Sequence, residues 1–387
     1  MTMKRVNLFL MFLFMPATFL LAQTDNGVYR MDEFRNPQKR EIIYIPNVNG
    51  YQILKCDFHQ HTVFSDGQVW PNVRVQEAWR EGMDAIAISD HIEYQPHSQD
   101  VLVNHNRAYE LAKDLAAEAN LILIKGSEIT RQTPPGHFNA IFIGDASGYI
   151  IDRDGNKKDK EAVLKAAEQD AFIFWNHPGW KVDQIEGSYK WLDFVDALHK
   201  ENKLHGIEVF NGFSFHKKAL DWCVDKGLTV MGSTDIHNLI AHEYKDEDHV
   251  HRSMTLVFAR ERTADSVREA LEEGRTVAWS SKYLAGKEEH VRNLFDACVK
   301  IGSSYHSKET KGKKDDVIVT NYYEVKNRSD LYFELELRSG DATKKIILYP
   351  GSSQIMTALA GQRKLTYEVV TAYIRSDKHL IVDIPLN

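Results

Sequence analysis

The chain has 387 residues, of which 43% are hydrophobic and 27% charged, and a net charge of -7. That length exceeds what one compact core normally uses, so two domains are expected, and the composition excludes a disordered or fibrous chain. The negative balance argues against a general affinity for nucleic-acid backbone, which requires a basic face to release counterions.

The chain opens with MTMKRVNLFLMFLFMPATFLLAQ: Lys4 and Arg5, an apolar run from Val6 to Leu21, then Ala22. This is the layout of a secretory signal peptide over residues 1–22, and it predicts a periplasmic or secreted protein. An uncleaved anchor is the alternative, because Leu20 is larger than the residue usual three positions before a cut. Residues 23–50 read as an N-terminal extension. Further on, no apolar run reaches the ~20 residues a bilayer demands, so the mature chain should have no transmembrane segment. Cys56, Cys223 and Cys298 are an odd set without Cys-x-x-Cys spacing and point to packing roles.

From residue 51 to about 280 one rhythm repeats, a short apolar run, a polar turn and a segment of helical spacing. The runs are YQILKCDF, DAIAIS, LILIKG, FNAIFIG, AFIFW, GIEVF and LTVMGS, and helices are predicted over 71–82, 99–119, 160–169, 190–200 and 213–226. Such alternation predicts an α/β domain of parallel strands with helical crossovers, a barrel or a doubly wound sheet. After about residue 290 the runs VIVTNYYEV, LYFELEL, KKIILYP, KLTYEVVTAYI and KHLIVDI read as strands with no helix between them, a small antiparallel β-sandwich. The boundary falls between Gly286 and Asp316 and is set at 287/288, giving an α/β domain over 51–287 and a sandwich over 288–387. The lysine-rich SKETKGKKDD reads as an exposed turn.

Ligand-type side chains recur where the apolar runs end. YQILKCDF leads into His59 and His61, and Asp66 follows in a glycine turn. Residues i and i+2 of an extended chain point the same way, so the two histidines can hold one ion between them. DAIAIS leads into Asp90 and His91, LILIKG into Ser127 and Glu128, AFIFW into Asn176 and His177, and LTVMGS into Thr234, Asp235 and His237. His137 instead precedes FNAIFIG. Five strands thus carry ligand residues at their C-terminal ends, where barrel and open-sheet enzymes place their chemistry. His105, His199 and His205 read as surface residues, and the His-Val-His at 249–251 as part of a loop outside the main site.

Six histidines and three carboxylates exceed the four or so ligands of one tetrahedral zinc and predict two to three divalent ions. Imidazole and carboxylate without thiolate suit zinc, manganese or iron alike. Three such ions bring about six positive charges, reduced to about three by Asp66, Glu128 and Asp235 and to about two by a bound hydroxide. That excess favours a small anionic phosphate ester as substrate.

DFHQHTVFSDG at 57–67, SDH at 89–91, GSE at 126–128, NHPG at 176–179 and STDIH at 233–237 together resemble the ordered motifs of the PHP (polymerase and histidinol phosphatase) metallohydrolases. The resemblance covers roughly residues 51–280 and leaves the C-terminal strands outside. It implies a distorted seven-stranded α/β barrel, a (β/α)7 barrel of the PHP type, with a trinuclear site. His59 and His61 with Asp235 would bind a first ion, and Glu128 would bridge it to a second on His137 and His177. Asp66, His91 and His237 would hold the third, Asp66 standing where some members have histidine.

The expected reaction is phosphoester hydrolysis, on a phosphodiester or small organophosphate in preference to a monoester. Asp235 and Glu128 are its catalytic residues, acting through a metal-bound hydroxide that attacks phosphorus in line. Asp57 and Asp90 are expected to orient ligand ring N–H groups. Arg131 and His242 are candidate substrate-binding residues, and His242, Tyr94 and His97 candidate donors to the leaving group. Three rival readings stand beside this one. The same metals could cleave a carboxyl ester or carbamate; an amidohydrolase fold would need a bridging lysine, for which Lys125 lies inside a strand run; and a non-catalytic module could bind envelope or glycan.

Overall fold

The computed structural model describes residues 39–130, 136–148, 161–180, 189–244, 251–312 and 316–386. The signal-peptide segment and Arg131 lie outside the described residues. In chain order the first part contains β1 (Gln52–Asp57), α1 (Pro71–Arg80), β2 (Ala85–Ile88), α2 (Arg107–Glu118), β3 (Ile122–Ile129), β4 (Phe138–Ile141), α3 (Glu161–Ala167), β5 (Phe172–Trp175), α4 (Asp193–Lys200), β6 (Gly206–Asn211), β7 (Ser214–Phe215), α5 (Lys217–Lys226) and β8 (Thr229–Ser233). AIAI of β2, FNAI of β4 and FIFW of β5 are buried at every position, as strands covered on both faces must be. Pro71 opens α1, where its missing N–H costs nothing, and Gly227 ends α5 in the left-handed conformation at φ 75°.

Two predicted helices begin late for local reasons. The segment 99–106 is not helical: Asn104 Oδ1 accepts the Asn106 N–H at 3.1 Å, a local bond that competes with a helical turn. Phe215 pairs back onto Phe210, so α5 starts only at Lys217.

β1, β2 and β3 run parallel, as do β5, β6 and β8, but β4 is antiparallel to both β3 and β5. The expectation of uniformly parallel strands fails here. The link 130–137 is shorter than the dozen or so residues a parallel crossover needs. This reversal turns the N-terminal end of β4, with His137 before it, toward the C-terminal ends of its neighbours.

β1 and β8 are not laddered along their length, yet their extensions meet. Gln60 and Ile236 form a parallel bridge, the His61 N–H donates to the Ile236 carbonyl at 3.0 Å, and the Asp235 N–H to the His59 carbonyl at 2.9 Å. The seven strands β1-β2-β3-β4-β5-β6-β8 therefore come together again at the end that carries the ligands. A short α6 (Ile240–Glu243) follows, then β9 (Met254–Ala259), α7 (Ala264–Glu272), β10 (Thr276–Ser280) and β11 (Tyr283–Gly286). β9 lies antiparallel beside β1 and β10 beside β9. The Thr255 and Thr276 hydroxyls bond the β8 carbonyls of Gly232 and Val230 at 2.8 and 2.7 Å, replacing backbone pairing on that flank.

Sequence reading leaves no helix beyond residue 290, but α8 (Glu288–Cys298) runs through that point. Val291, Leu294, Phe295 and Cys298 follow the i, i+3, i+4, i+7 spacing and are all buried. The C-terminal strands are β12 (Val299–Ile301), β13 (His306–Lys311), β14 (Val317–Asn327), β15 (Phe333–Ser339), β16 (Lys345–Leu348), β17 (Ser353–Leu359), β18 (Lys364–Arg375) and β19 (Lys378–Pro385). β12, β13 and β17 pair with β14 in one sheet, and β16-β15-β18-β19 form the other, which joins the first part through β11 and β18. Residues 307–311 of the lysine-rich segment are strand instead of turn, for β13 pairs with β14 from His306 opposite Tyr322 to Lys311 opposite Val317 while remaining exposed, and 313–315 lie outside the described residues. All three cysteines are free and buried. Among the described residues no helix is long and apolar enough to cross a membrane.

Candidate metal centre

The ends of these strands converge on one cluster containing all nine imidazole and carboxylate side chains that the sequence offers as candidate ligands. His59 Nε2 lies 3.3 Å from Glu128 Oε2 and 3.1 Å from Asp235 Oδ1, and His61 Nε2 lies 3.3 and 3.0 Å from the same two atoms. Asp66 Oδ1 is 3.2 Å from His237 Nε2 and 3.5 Å from His91 Nε2. His137 Nδ1 is 2.9 Å from Glu128 Oε1, and His177 Nε2 stands 3.7 Å from both Glu128 and Asp235. Three overlapping groups emerge whose ligand atoms lie within 4.8 Å of one another: His61, Asp66, His91 and His237; His59, His61, Glu128 and Asp235; His91, Glu128 and His137.

Local backbone holds this geometry against its own preferences. His177 and Asp235 adopt left-handed conformations at φ 26° and 57°, a strain of order 1–3 kcal/mol each of the kind that collects at functional sites. Gly67, which closes the turn bearing Asp66, has no room for a side chain: a Cβ there would sit 2.5 Å from the backbone of His61 and Thr62.

Burial acts against a proton on every imidazole, yet carboxylates outweigh it at several. Asp235, Glu208 and Glu128 raise His59 well above the ordinary histidine value, and Glu128 and Asp66 push His91 up to about 10. His61 goes the other way, down to about 3, through burial and the neighbouring His91 and His237. Despite burial, Glu128, Asp235 and Asp66 stay well below the usual carboxylate range because imidazoles surround them. The site is built to bring cationic charge to three carboxylates.

The orphaned atoms fit a metal. His59 Nε2, Asp66 Oδ1 and Glu128 Oε2 are buried without a hydrogen-bond partner, although His91 Nδ1 approaches Glu128 Oε2 to 2.8 Å out of alignment. Leaving a buried polar group unsatisfied costs roughly 1–3 kcal/mol, which coordination by these same atoms would offset. Imidazole and carboxylate are the donors of borderline divalent ions.

A family model for an Ig-like domain matches residues 299–385. The chain aligns at 40% identity, with a TM-score of 0.83, to a two-domain protein of Bacteroides vulgatus containing a predicted PHP-like metal-dependent phosphoesterase; the match covers 91% of this chain and 100% of that one. This chain belongs to the PHP-like metal-dependent phosphoesterases. A predicted metal-dependent phosphoesterase of Bifidobacterium adolescentis (17% identity, TM-score 0.38, 57% of this chain and 96% of that one) overlaps only partly. So does an amidohydrolase of Chromobacterium violaceum (14% identity, TM-score 0.36, 49% and 89%). Among curated proteins none matches.

Within this PHP-like site the groups that orient the ligands differ from those expected. Neither Asp57 nor Asp90 touches a ligand ring. Asp57 accepts bonds from the Thr234 N–H at 3.1 Å and hydroxyl at 2.7 Å, tying the end of β1 to that of β8. Asp90 takes the Thr62 N–H and hydroxyl at 2.6 Å each, and the Ser65 hydroxyl at 2.7 Å. Asp90 therefore reaches His61 only at one remove, since Ser65 Oγ is 3.3 Å from His61 Nδ1. The residue that holds His59 is Glu208 of β6, with Oε1 at 2.8 Å from Nδ1. Its Oε2 accepts the His177 N–H and the Asn211 amide at 2.9 Å each. His237 Nδ1 bonds the Asp235 carbonyl at 2.8 Å. With Nδ1 donating at His59, His61 and His237, each Nε2 faces the cluster and would offer it a lone pair once a cation displaces the proton.

Sequence reasoning missed Glu208, Arg74 and Arg252. Glu208 did leave a signal, a lone carboxylate inside the apolar run GIEVF, where burial without a partner is costly. Buried Arg74 bonds the carbonyls of His61, Ile236 and Asn238 at 2.9, 3.1 and 2.7 Å, linking the first and last ligand loops. Among the other candidates, Tyr94 lies at the rim, its ring 6.1 Å from that of His91. His97 bonds the Gly67 carbonyl at 3.2 Å, and His242 is exposed on α6. His251 packs on Trp279, and His205, expected at the surface, is partly buried against Phe172. Lys125 donates to the Gly144 carbonyl at 2.9 Å, so it does not bridge the cluster.

Glu208→Ala is expected to weaken metal affinity about 10–100-fold, the usual cost of removing a carboxylate that orients a ligand histidine. Titration against a chromogenic chelator measures this; unchanged affinity would show that the His59 ring is positioned without it.

Proposed function

We propose that this chain hydrolyses a phosphate ester, a phosphodiester or small organophosphate, with three divalent ions of zinc, manganese or iron. The observation that carries the reading is Glu128, whose two buried oxygens lie between 2.8 and 3.7 Å from nitrogens of five histidines. One carboxylate so placed can serve two ions at once. His59 and His61 with Asp235 would hold one, His137 and His177 a second, and Asp66, His91 and His237 a third. The overlap of His61 and His91 between groups supports ions packed close together.

Divalent ions bound here would acidify a water toward about pKa 7 and offset charge on the phosphoryl oxygens. The protein's own groups set the direction of approach. His59, His61 and Glu128 form the closed floor at 0–1% side-chain exposure, whereas Asp66, Asp235 and His237 remain open at 21%, 19% and 32%. A substrate phosphate would enter over that open edge. Asp235 stands at the boundary, with Oδ2 3.2 Å from the Asn211 amide and Oδ1 facing His59 and His61. Glu128 and Asp235 would thus present fixed anionic oxygens to the cations that activate the water, and the buried floor of His59 and His61 keeps those carboxylates in place. The N-terminal layout of Lys4, Arg5 and the apolar run to Leu21 supports export, so we assign the enzyme to the periplasm or the exterior.

The test is elemental analysis of protein purified without chelators, combined with chromogenic phosphodiester, phosphomonoester, aryl acetate and carbamate substrates. A stoichiometry near three and turnover confined to phosphate esters are expected. Asp66→Ala and His91→Ala should each lower metal content by about one ion. A stoichiometry near one that neither substitution changes would sink the three-ion reading, and turnover of only the acetate or carbamate would sink the phosphoesterase reading.

A further inference from the structure

Three exposed aromatic side chains flank the ligand cluster. Trp180 follows His177 by three residues, and its N–H donates to the His177 carbonyl at 2.8 Å. Its ring stands edge-on to two ligand histidines, with centroids 5.2 Å from His137 and 5.3 Å from His177, yet the residue is 42% exposed. Tyr94 follows His91 by three residues and is 52% exposed. Phe213 follows Asn211, the residue bonded to Asp235, and is 59% exposed while packing on Tyr244 with ring centroids 4.7 Å apart. Single exposed apolar residues are ordinary and need no explanation. Three large rings on three separate loops, each within three residues of a ligand or of a ligand's hydrogen-bond partner, are a different matter. Binding sites commonly pair a few fixed polar groups with an aromatic wall that receives the rest of the ligand.

We infer that this wall, with Trp180 foremost, binds a flat aromatic ring in the alcohol portion of the substrate, an inference that rests on the phosphoesterase reading above. The charged phosphate is held at the cluster while the ring stacks or packs edge-on against Trp180, the exposed ring in contact with two ligands. Tyr94 bounds the same mouth beside His91, whose ring is 5.7 Å from that of His137. Aromatic pairing of this kind is worth about 0.5–1.5 kcal/mol beyond area burial, or about two- to twelvefold in selectivity.

The test compares 2-phenylethyl phosphate with n-butyl phosphate, or their methyl diesters if the substrate panel favours diesters. The two alcohols are of similar acidity, so leaving-group chemistry is matched. Wild-type protein is expected to prefer the phenylethyl ester by about tenfold in kcat/KM, mostly through KM. Trp180→Ala should lose most of that ratio and Trp180→Phe should keep most of it, with metal content equal in all three proteins. Equal use of both esters by the wild type, or a ratio unmoved by Trp180→Ala, overturns the inference and leaves the phosphoesterase reading intact. A stronger preference for glucose 6-phosphate that Trp180→Ala abolishes also overturns it, in favour of a sugar ring. Absence of turnover on every phosphate ester overturns the phosphoesterase reading, and the inference falls with it.

Discussion

Glu128→Gln is expected to abolish turnover, by at least about 10³-fold, and to strip the protein of more than one metal ion, because this side chain is shared between ligand groups. The substitution keeps the shape and removes the charge. Asn176 Nδ2 donates to Oε1 at 2.8 Å, and His137 Nδ1 approaches the same atom at 2.9 Å. A glutamine will therefore keep its carbonyl oxygen there and turn its NH₂ into the place of Oε2, facing His59, His61 and His91. An amide NH₂ has no lone pair to offer a cation, and it faces nitrogens that must themselves be lone-pair donors. The effect should exceed the 10–100-fold typical of a residue that only orients a ligand. Elemental analysis and turnover on the preferred phosphate ester check it together. A full metal complement with near-normal turnover would remove Glu128 from the centre of the mechanism.

Arg252→Met is expected to cost about 3–5 kcal/mol of stability, the largest loss foreseen for a residue that touches no ligand side chain. The Arg252 side chain is 1% exposed, its Nη1 3.2 Å from Asp57 Oδ2 and its Nε 2.8 Å from Glu81 Oε2. Burial raises the pKa of Asp57, and Arg252 and Thr234 oppose that rise. Removing the guanidinium leaves a buried carboxylate at the junction where β1 and β8 hold His59 and Asp235, so metal affinity should fall as well. Arg252→Lys should show a smaller loss, since an ammonium keeps the charge but cannot reach two carboxylates with a rigid fork. Urea unfolding of chelator-treated protein separates this from stabilisation by bound metal. A loss below about 1 kcal/mol would mean that water or backbone donors already satisfy Asp57 and Glu81.

The converging histidines and carboxylates were legible because their rule is local. His59, His91, Glu128, His177 and Asp235 each stand just past a short apolar run, so counting along the chain suffices to place them at one end of a strand. The sandwich was legible in the same way, through alternation along β14, β15, β18 and β19. Strand β13 escaped because its HSKETK residues are exposed at every position and owe their conformation to pairing with β14. Helix α8 was overlooked beside the strand-rich tail, although its buried positions follow the helical period.

The amino-acid order by itself determined the α/β rhythm, the β-rich tail and which nine imidazoles and carboxylates stand at strand ends or in the adjoining turns, since each depends on neighbours a few residues away. Folding alone decided the reversal of β4 that brings His137 to its partners, and the pairing of Gln60 with Ile236 that joins the first and last ligand loops. Folding alone also decided the choice of Glu208 over Asp57 and Asp90 to hold an imidazole. The reason is physical: hydrogen bonds and charge compensation in a buried site depend on distances in space, and His59 and Glu208, 2.8 Å apart in the fold, lie 149 residues apart along the chain.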